Sequence, residues 1–281
     1  MKIDIKGHSG CNIEISNLSN SNELCIIKST NDKAYFDRLE KQAIKQINDY
    51  NSCNLNNITI PKIYNLNNNE DTYSICMEYI YGKNYISYFE NASLNDLDIF
   101  IKIILSYLDY EFNNSIIEYK SKQLFINKYE SILKKCNHIE DQELLKKGSQ
   151  FFNELPETIE LNIGKCHGDL TFSNILFTNN GICLIDYLDS FVETPIQDIV
   201  KLRQDTKYLW SRLLYDKKYD KIRLEIISSY IDRFLTNYLN NKNVEQQYNI
   251  LNVMNWFRIL PYTKNKITET YVTNILNNLL K

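Results

Sequence analysis

The residues best suited to chemistry lie between positions 166 and 186, in the sequence CHGDLTFSNILFTNNGICLID. Asp169 follows a His-Gly pair, Asn174 comes five residues later, and Asp186 closes an apolar, turn, apolar run. An Asp that accepts a hydroxyl proton, followed by an Asn and a second Asp that hold Mg²⁺ on nucleotide phosphates, is the pattern of a kinase site. The spacing therefore predicts a phosphoryl-transfer centre here.

The two apolar runs on either side of Asn179-Asn180-Gly181 predict a β-hairpin. With a three-residue loop closed by Gly181 in the left-handed conformation, Asn174 lies directly opposite Asp186, and opposed Cβ atoms are about 4.5–5.5 Å apart. One Mg²⁺ with oxygen ligands at about 2.1 Å then reaches both side chains. A two-residue loop shifts the pair by one residue, so this prediction depends on the turn.

The same stretch resembles a known family, the aminoglycoside phosphotransferases and choline kinases, which are small-molecule kinases with the protein-kinase fold. The motifs that carry the resemblance are His167-Gly168-Asp169, Asn174 and Ile185-Asp186-x-x-Asp189. The resemblance implies that Asp169 is the catalytic base and that Asn174 and Asp186 are the magnesium ligands.

A second motif, Pro195-x-x-Asp198, matches the Pro and Asp that follow in that family. The resemblance implies that Asp198 braces the catalytic loop. We expect His167 to be structural as well, tying the loop to the core. The resemblance is dense from about position 160 to 205 and diffuse elsewhere.

Composition narrows the class of protein. The chain has 281 residues, 43% of them hydrophobic, and a net charge of −3, which argues against a nucleic-acid binder. No apolar run reaches 18 residues, so we expect no membrane partner. Seven scattered cysteines and a first segment without an apolar leader indicate a cytoplasmic protein.

Residues 1–15 predict a strand, a turn and a second strand. The turn Gly7-His8-Ser9-Gly10 can lay its amides over phosphates, as kinase loops do. Ser9 and Gly10 are therefore candidate nucleotide-binding residues, although an ordinary hairpin turn fits the pattern as well.

A lysine and a glutamate form the next candidate pair. Residues 24–27 predict a strand ending in Lys28, and the kinase lysine in this place pairs with the nucleotide phosphates and a helix glutamate. In the helix that starts near Asp32, Glu40 falls within the apolar stripe, whereas Gln42 projects off it. A carboxylate on an inward face needs a partner, so we expect Glu40 to pair with Lys28; a solvated edge position is the alternative.

Residues 73–80 predict a strand that looks like the family's edge strand and hinge. That resemblance implies that main-chain groups near Glu78 and Ile80 meet the nucleotide base and that Met77 backs the pocket. An ordinary core role for Met77 is equally consistent with the sequence.

The pattern of strands and helices predicts an α+β, two-lobed, protein-kinase-like fold. Residues 1–80 form a small N-terminal lobe, an antiparallel sheet plus one helix, that binds the nucleotide. Residues 81–281 form a larger, mainly helical lobe with the catalytic hairpin and the acceptor site. Pro195 comes only nine positions after Asp186, which favours a small, deep acceptor site over the long segment of protein kinases.

Carboxylates and aromatic rings after the hairpin suit a cationic acceptor. The candidate acceptor-binding residues are Asp189, Glu193, Asp205, Tyr208, Trp210 and Trp256, with Tyr187 beside them. Helical aromatic residues are commonly core residues, and that alternative stays open.

The main hypothesis is an ATP- or GTP-dependent kinase that uses Mg²⁺ to phosphorylate a hydroxyl of a small molecule. By resemblance, the acceptor is a sugar, an amino alcohol or an aminoglycoside. A nucleotide-binding pseudokinase or scaffold is the alternative, because the glycine turn is a poor match. A protein kinase is disfavoured by the short segment after Asp186.

Overall fold

A four-stranded antiparallel sheet comes first along the chain. The computed structural model describes residues 11–18, 23–215, 218–263 and 265–281. The strand order is β1-β2-β5-β4. The strands are β1 (Asn12–Asn17), β2 (Leu24–Thr30), β4 (Ile63–Asn68) and β5 (Tyr73–Glu78). Lys28 lies within β2, paired with Ile13 and Ile75 on the neighbouring strands, and does not end the strand as predicted.

Helix α1 (Phe36–Ser52) packs on this sheet. Asp32 caps a single 3-10 turn (Lys33–Tyr35) before the helix by accepting a hydrogen bond from the Ala34 N–H at 3.0 Å. Side chains of the helix and the sheet form one apolar cluster. Its buried members are Cys11, Leu39, Ala43, Tyr73 and Ile75.

A second, three-stranded sheet has the order β3-β9-β8 and carries the predicted hairpin. The strands are β3 (Ile58–Thr59), β8 (Ile175–Thr178) and β9 (Gly181–Leu184). Lys83 and Phe177 exchange two backbone hydrogen bonds of 2.8 Å. Gly82 permits this approach, because a Cβ there would lie 2.9 Å from the Leu176 Cβ.

Aromatic rings fix the hairpin to helices α2 (Tyr85–Phe89) and α3 (Leu94–Asn113). The ring of Phe177 stacks on Tyr88 at 3.9 Å and contacts Phe89 and Phe100. The sequence Ser93-x-x-Asp96 predicts a capping box, and this box begins α3. The Asp96 carboxylate accepts from the Ser93 N–H and hydroxyl at 2.8 and 2.7 Å, and the Ser93 hydroxyl accepts from the Asp96 N–H at 3.2 Å.

The remaining elements are mainly helical, as predicted. They also include an antiparallel strand pair, β6 (Ser115–Ser121) and β7 (Thr158–Gly164), which the sequence pattern did not predict. The helices are α4 (Lys122–Leu133), α5 (Gln142–Asn153), α6 (Pro195–Thr206), α7 (Lys221–Lys242), α8 (Glu245–Ile259) and α9 (Lys266–Leu279). From Pro195 the sequence pattern predicts one helix that continues to about Tyr215. This prediction is wrong, because α6 ends at Thr206 and a separate 3-10 turn spans Ser211–Leu214.

Contacts divide the chain into two compact units. The first consists of Met1–Tyr110, His167–Ser190 and Tyr219–Ile227, and the second of Glu111–Cys166, Phe191–Lys218 and Ser228–Lys281. The α+β class is confirmed, while the lobe boundary at residue 80 stays a prediction. Among the described residues, no helix combines the length and the apolar character that crossing a membrane requires.

Candidate active site

The loop that carries Asp169 turns at Gly168, which has a φ of +87°. A Cβ at this position would lie 2.0 Å from the carbonyl oxygen of Leu188. Because side chains other than glycine's rarely adopt this conformation and none would fit here, the loop requires glycine.

His167 holds this loop to the end of the hairpin. Its buried ring accepts the Asp169 N–H at Nδ1, at 3.2 Å, so the ring proton resides on Nε2, which donates to the Ile185 carbonyl at 2.9 Å. The ring also packs 4.3 Å from that of Tyr187, centroid to centroid. These contacts suit a structural brace, and that role of His167 stays a prediction.

Asp169 and Asn174 lie side by side. The Asn174 amide nitrogen donates to the Asp169 carbonyl at 2.8 Å and to its carboxylate oxygen Oδ2 at 3.0 Å. A single side-chain amide thus orients both the backbone and the carboxylate of Asp169. The Asn174 amide oxygen takes no part in either bond.

The hairpin differs from the prediction by one residue. Thr178 pairs with Gly181, so the loop has two residues, Asn179 and Asn180. In this register Ile185 pairs with Asn174, and the Ile185 N–H donates to the Asn174 carbonyl at 3.0 Å. The prediction that Asn174 directly opposes Asp186 is therefore wrong. Gly181 does have a positive φ, +132°, where a Cβ would lie 2.1 Å from the Asn57 carbonyl oxygen.

Asp186 follows the hairpin and contacts Lys28. The Lys28 ammonium lies 2.5 Å from the Asp186 oxygen Oδ1. Lys28 is buried, 7% exposed, whereas the Asp186 side chain is 47% exposed. Burial by itself lowers the pKa of Lys28, but the charge and hydrogen bond of Asp186 outweigh it, so the net pKa is raised. Asp186 itself has a φ of +65°, a strained conformation for a residue other than glycine.

The helix partner of Lys28 is Gln42 and not Glu40. Gln42 is buried, and its Oε1 accepts from the Lys28 ammonium at 3.4 Å, whereas Glu40 is exposed. The predicted Lys28–Glu40 pair is wrong because α1 turns a different face inward than its apolar residues indicated.

The predicted nucleotide-binding residues are only partly described. Ser9 and Gly10 lie outside the described residues. Met77 is half-buried and packs against the apolar cluster of the first sheet. The Glu78 N–H donates to the Lys62 carbonyl at 2.8 Å. Contact of Glu78 and Ile80 with a nucleotide base stays a prediction.

Three acidic candidates, Asp189, Glu193 and Asp198, lie in different surroundings. Asp189 accepts from the Arg38 guanidinium at 2.9 Å, and Glu193 accepts from the Cys166 thiol at 3.0 Å. Asp198 is fully buried in α6. The acceptor roles of Asp189 and Glu193 and the bracing role of Asp198 stay predictions.

The aromatic acceptor candidates form a cluster in the second unit. Trp256 is 0% exposed and lies edge-on to Tyr208 and Trp210, with ring centroids 5.1 and 5.8 Å away. Asp205 is buried and accepts from the Ser211 N–H at 2.8 Å. The prediction of an acceptor contact for Trp256 and Asp205 is corrected to a core role, because the arrangement leaves almost none of their surface exposed.

Part of the chain is similar in sequence to a known protein family. Residues 129–219 match the model of a phosphotransferase enzyme family. This match confirms that the chain resembles this phosphotransferase family, as the motifs around Asp169 indicated. Among curated proteins, no sequence matches the chain.

Several solved structures share the fold. An aminoglycoside phosphotransferase, APH(4)-Ia, in a ternary complex with ADP and hygromycin B has a TM-score of 0.65 at 8% identity, covering 99% of this chain and 92% of that one. Amicoumacin kinase hAmiN in complex with AMP-PNP, Ca²⁺ and Ami has a TM-score of 0.55 at 12% identity, covering 98% and 86%. A glucosamine kinase has a TM-score of 0.56 at 8% identity, covering 96% and 81%. At these identities the likeness establishes the protein-kinase-like fold alone.

Asn174 and Asp186 suit a magnesium ion. Within the described ranges, no cluster of three or more His, Cys, Asp and Glu side chains could hold a metal by itself. Mg²⁺ bound with a nucleotide takes one or two protein oxygens and completes its shell with phosphates and water. The Asn174 amide oxygen and the Asp186 oxygen Oδ2 lie outside the hydrogen bonds described above, so this donor set fits the ion.

Besides Arg38, which donates to Asp189, four polar residues of α1 contact the site or the residues next to it, and the apolar pattern of the helix did not indicate them. Three of them, Gln42, Gln46 and Asp49, are buried beside Leu39 and Ala43. At about 100° per residue, the centre of the buried face is rotated by about 70° from the predicted apolar stripe of Phe36, Leu39, Ala43 and Ile47. The fourth, Lys45, donates to the Leu188 carbonyl at 2.8 Å. Their regular spacing along the helix was the available signal.

Proposed function

We propose that this protein is a small-molecule kinase that transfers the γ-phosphoryl group of ATP or GTP to a hydroxyl group. Two contacts in the first unit carry the proposal, and each of them fixes one carboxylate. Asn174 holds the Asp169 carboxylate at 3.0 Å, and Lys28 holds the Asp186 carboxylate at 2.5 Å. Both carboxylates belong to the kinase-like motif.

Asp169 is the proposed catalytic base. The Asn174 amide fixes its carboxylate, so one oxygen is oriented before an acceptor arrives. A positioned base contributes about 10²- to 10⁴-fold in rate. Most of the acceleration must then come from holding the reactants in place and from stabilising charge.

Lys28, Asn174 and Asp186 are the proposed charge-stabilising groups. The Lys28 ammonium is buried and stays protonated because of Asp186, so it offers a fixed positive charge to nucleotide phosphates. Asn174 and Asp186 would hold Mg²⁺, which when bound neutralises charge on the phosphoryl oxygens. Ser9, Gly10, Met77, Glu78 and Ile80 are proposed to contact the nucleotide.

The acceptor is proposed to be a small hydroxyl-bearing molecule, in the class of sugars, amino alcohols and aminoglycosides. The similar structures contain or are named for such compounds: hygromycin B and glucosamine. Asp189, Glu193, Tyr208 and Trp210 remain proposed contacts for a cationic acceptor. All seven cysteines are free thiols, which supports the proposed cytoplasmic location.

The proposal is tested by incubating the protein with Mg-ATP or Mg-GTP and a panel of hydroxyl-bearing small molecules, with mass spectrometry of the products. Asp169→Asn should reduce transfer by at least about 10²-fold, because the base is lost. Nucleotide affinity, measured by titration calorimetry, should stay within twofold of the wild-type value.

Full transfer activity in the Asp169→Asn variant would end the assignment of the base. Metal-dependent nucleotide binding without transfer to any acceptor would favour the pseudokinase alternative. Phosphorylation of peptides in preference to small molecules would favour a protein kinase.

A further inference from the structure

One face of α1 contacts the segment that contains Asp186. The face consists of Arg38, Gln42, Lys45 and Asp49, which we call the polar stripe. At about 100° per residue, these four positions fall within an arc of about 60° on the helix. A stripe so narrow faces a single neighbouring segment.

Three of the contacts are direct, and they pair α1 with the segment after Asp186 in antiparallel order. Arg38 donates to the Asp189 carboxylate at 2.9 Å, and Lys45 donates to the Leu188 carbonyl at 2.8 Å. The Asp49 carboxylate accepts from the Tyr187 hydroxyl at 2.9 Å. The helix therefore contacts three consecutive residues after Asp186.

The fourth contact reaches Asp186 through Lys28. Gln42 accepts from the Lys28 ammonium at 3.4 Å, and that ammonium lies 2.5 Å from the Asp186 carboxylate. Each residue from position 186 to 189 thus has a partner on α1, directly or through one side chain.

Asp49 is the anchor of the stripe. Its carboxylate is 5% exposed and accepts from the hydroxyls of Tyr107 and Tyr110 on α3, at 2.7 and 3.1 Å, as well as from Tyr187. The ring of Tyr187 packs on His167 on its other side. The segment is therefore held between the helix and the catalytic loop.

The conformation of Asp186 explains why such a hold is needed. Its φ of +65° is costly for a residue other than glycine, and strained backbone persists where the surroundings fix it. A metal ligand must also be oriented within a fraction of an ångström before the ion binds.

From these contacts we infer that the polar stripe is the positioning device for the segment 186–189, with Asp49 and Tyr187 as its buried link. These are positioning residues, since they act through Asp186. The inference rests on the proposed function only where it concerns metal and nucleotide. The order of the segment follows from the contacts alone.

The test compares two tyrosines that donate to the same carboxylate. Tyr187→Phe removes the hydroxyl that joins the segment to Asp49 and leaves the ring on His167. Tyr110→Phe removes a hydroxyl from Asp49 without touching the segment. Asp49→Asn is the third variant.

Amide hydrogen exchange of residues 186–190, without nucleotide or metal, gives the first measurement. Exchange should accelerate by about tenfold in Tyr187→Phe and Asp49→Asn, since a hydrogen bond to a charged group is lost. The Leu188 amide, which donates to the His167 carbonyl at 3.0 Å, is the central reporter. Tyr110→Phe should match the wild-type protein within twofold.

Titration of Mg²⁺ at fixed nucleotide gives the second measurement. The half-saturating Mg²⁺ concentration should rise by about tenfold in Tyr187→Phe, while nucleotide affinity without metal stays unchanged. Unchanged exchange in Tyr187→Phe, or equal acceleration in Tyr110→Phe, overturns the inference. If the wild-type protein binds no nucleotide, the proposed function fails, and the exchange rates still decide the inference.

Discussion

Lys28 and Asp186 form an ion pair but differ in solvent exposure, so replacing Lys28 and replacing Asp186 should change the stability by different amounts. Lys28 is 7% exposed, whereas the Asp186 side chain is 47% exposed. Replacing Asp186 with the isosteric Asn leaves a buried ammonium without its counter-charge. Replacing Lys28 with Met leaves a carboxylate that water can reach.

A hydrogen bond to a charged group contributes about 1.5–3 kcal/mol, and exposure of one partner places this pair in the lower half of that range. We therefore expect Asp186→Asn to lower the free energy of unfolding by about 2 kcal/mol. Lys28→Met should change it by less than about 1 kcal/mol, because an apolar side chain replaces a buried charge. In the double variant, Asp186→Asn should add less than about 0.5 kcal/mol to the effect of Lys28→Met.

The assay is urea unfolding followed by circular dichroism, in EDTA and without nucleotide, so that metal binding does not contribute. The four proteins form a double-mutant cycle. An equal loss from Asp186→Asn in the presence and absence of Lys28 would refute the reasoning. So would a larger loss from Lys28→Met than from Asp186→Asn.

Two further substitutions follow from the contacts. Gln42→Glu puts a carboxylate beside Lys28 that competes with Asp186 for the ammonium. Metal-dependent nucleotide affinity should therefore rise several-fold, as measured by calorimetry. The free energy of unfolding should change by less than about 1.5 kcal/mol, because the new ion pair offsets the desolvation of the added carboxylate. Gly148→Ala should lower the free energy of unfolding by about 1–3 kcal/mol in urea despite alanine's better helix propensity, because its Cβ would lie 2.4 Å from the Tyr129 hydroxyl and 2.5 Å from the Phe257 ring.

Each substitution has a control. Gln42→Met fills the same buried position without a charge, and a comparable gain in affinity there would contradict the competition with Asp186. Lys146→Ala changes an exposed position of the same helix as Gly148. A stabilised Gly148→Ala variant would show that propensity outweighs the overlap.

The sequence alone determined the parts of the protein that depend on local pattern. The Ser93–Asp96 box begins α3, Asp32 caps the turn before α1, and the Asn-Gly signal produces the hairpin. The motif of Asp169 and Asn174 could also be recognised from the sequence, because the two residues are only five positions apart and a tight loop of that length has few possible conformations.

Only the tertiary structure determined which residues distant in the sequence contact each other. The hairpin register depended on whether Gly181 belonged to the loop or to the strand, and its close approach to Asn57 accompanies its place as the first residue of β9. The choice of Gln42 over Glu40 depended on the rotation of α1. Its apolar residues alone indicate one face, whereas hydrogen bonds to Lys28 and Tyr187 make it possible to bury the polar side chains of Gln42 and Asp49. Those bonds join residues 14 and 138 positions apart, and no periodicity within one helix can specify them.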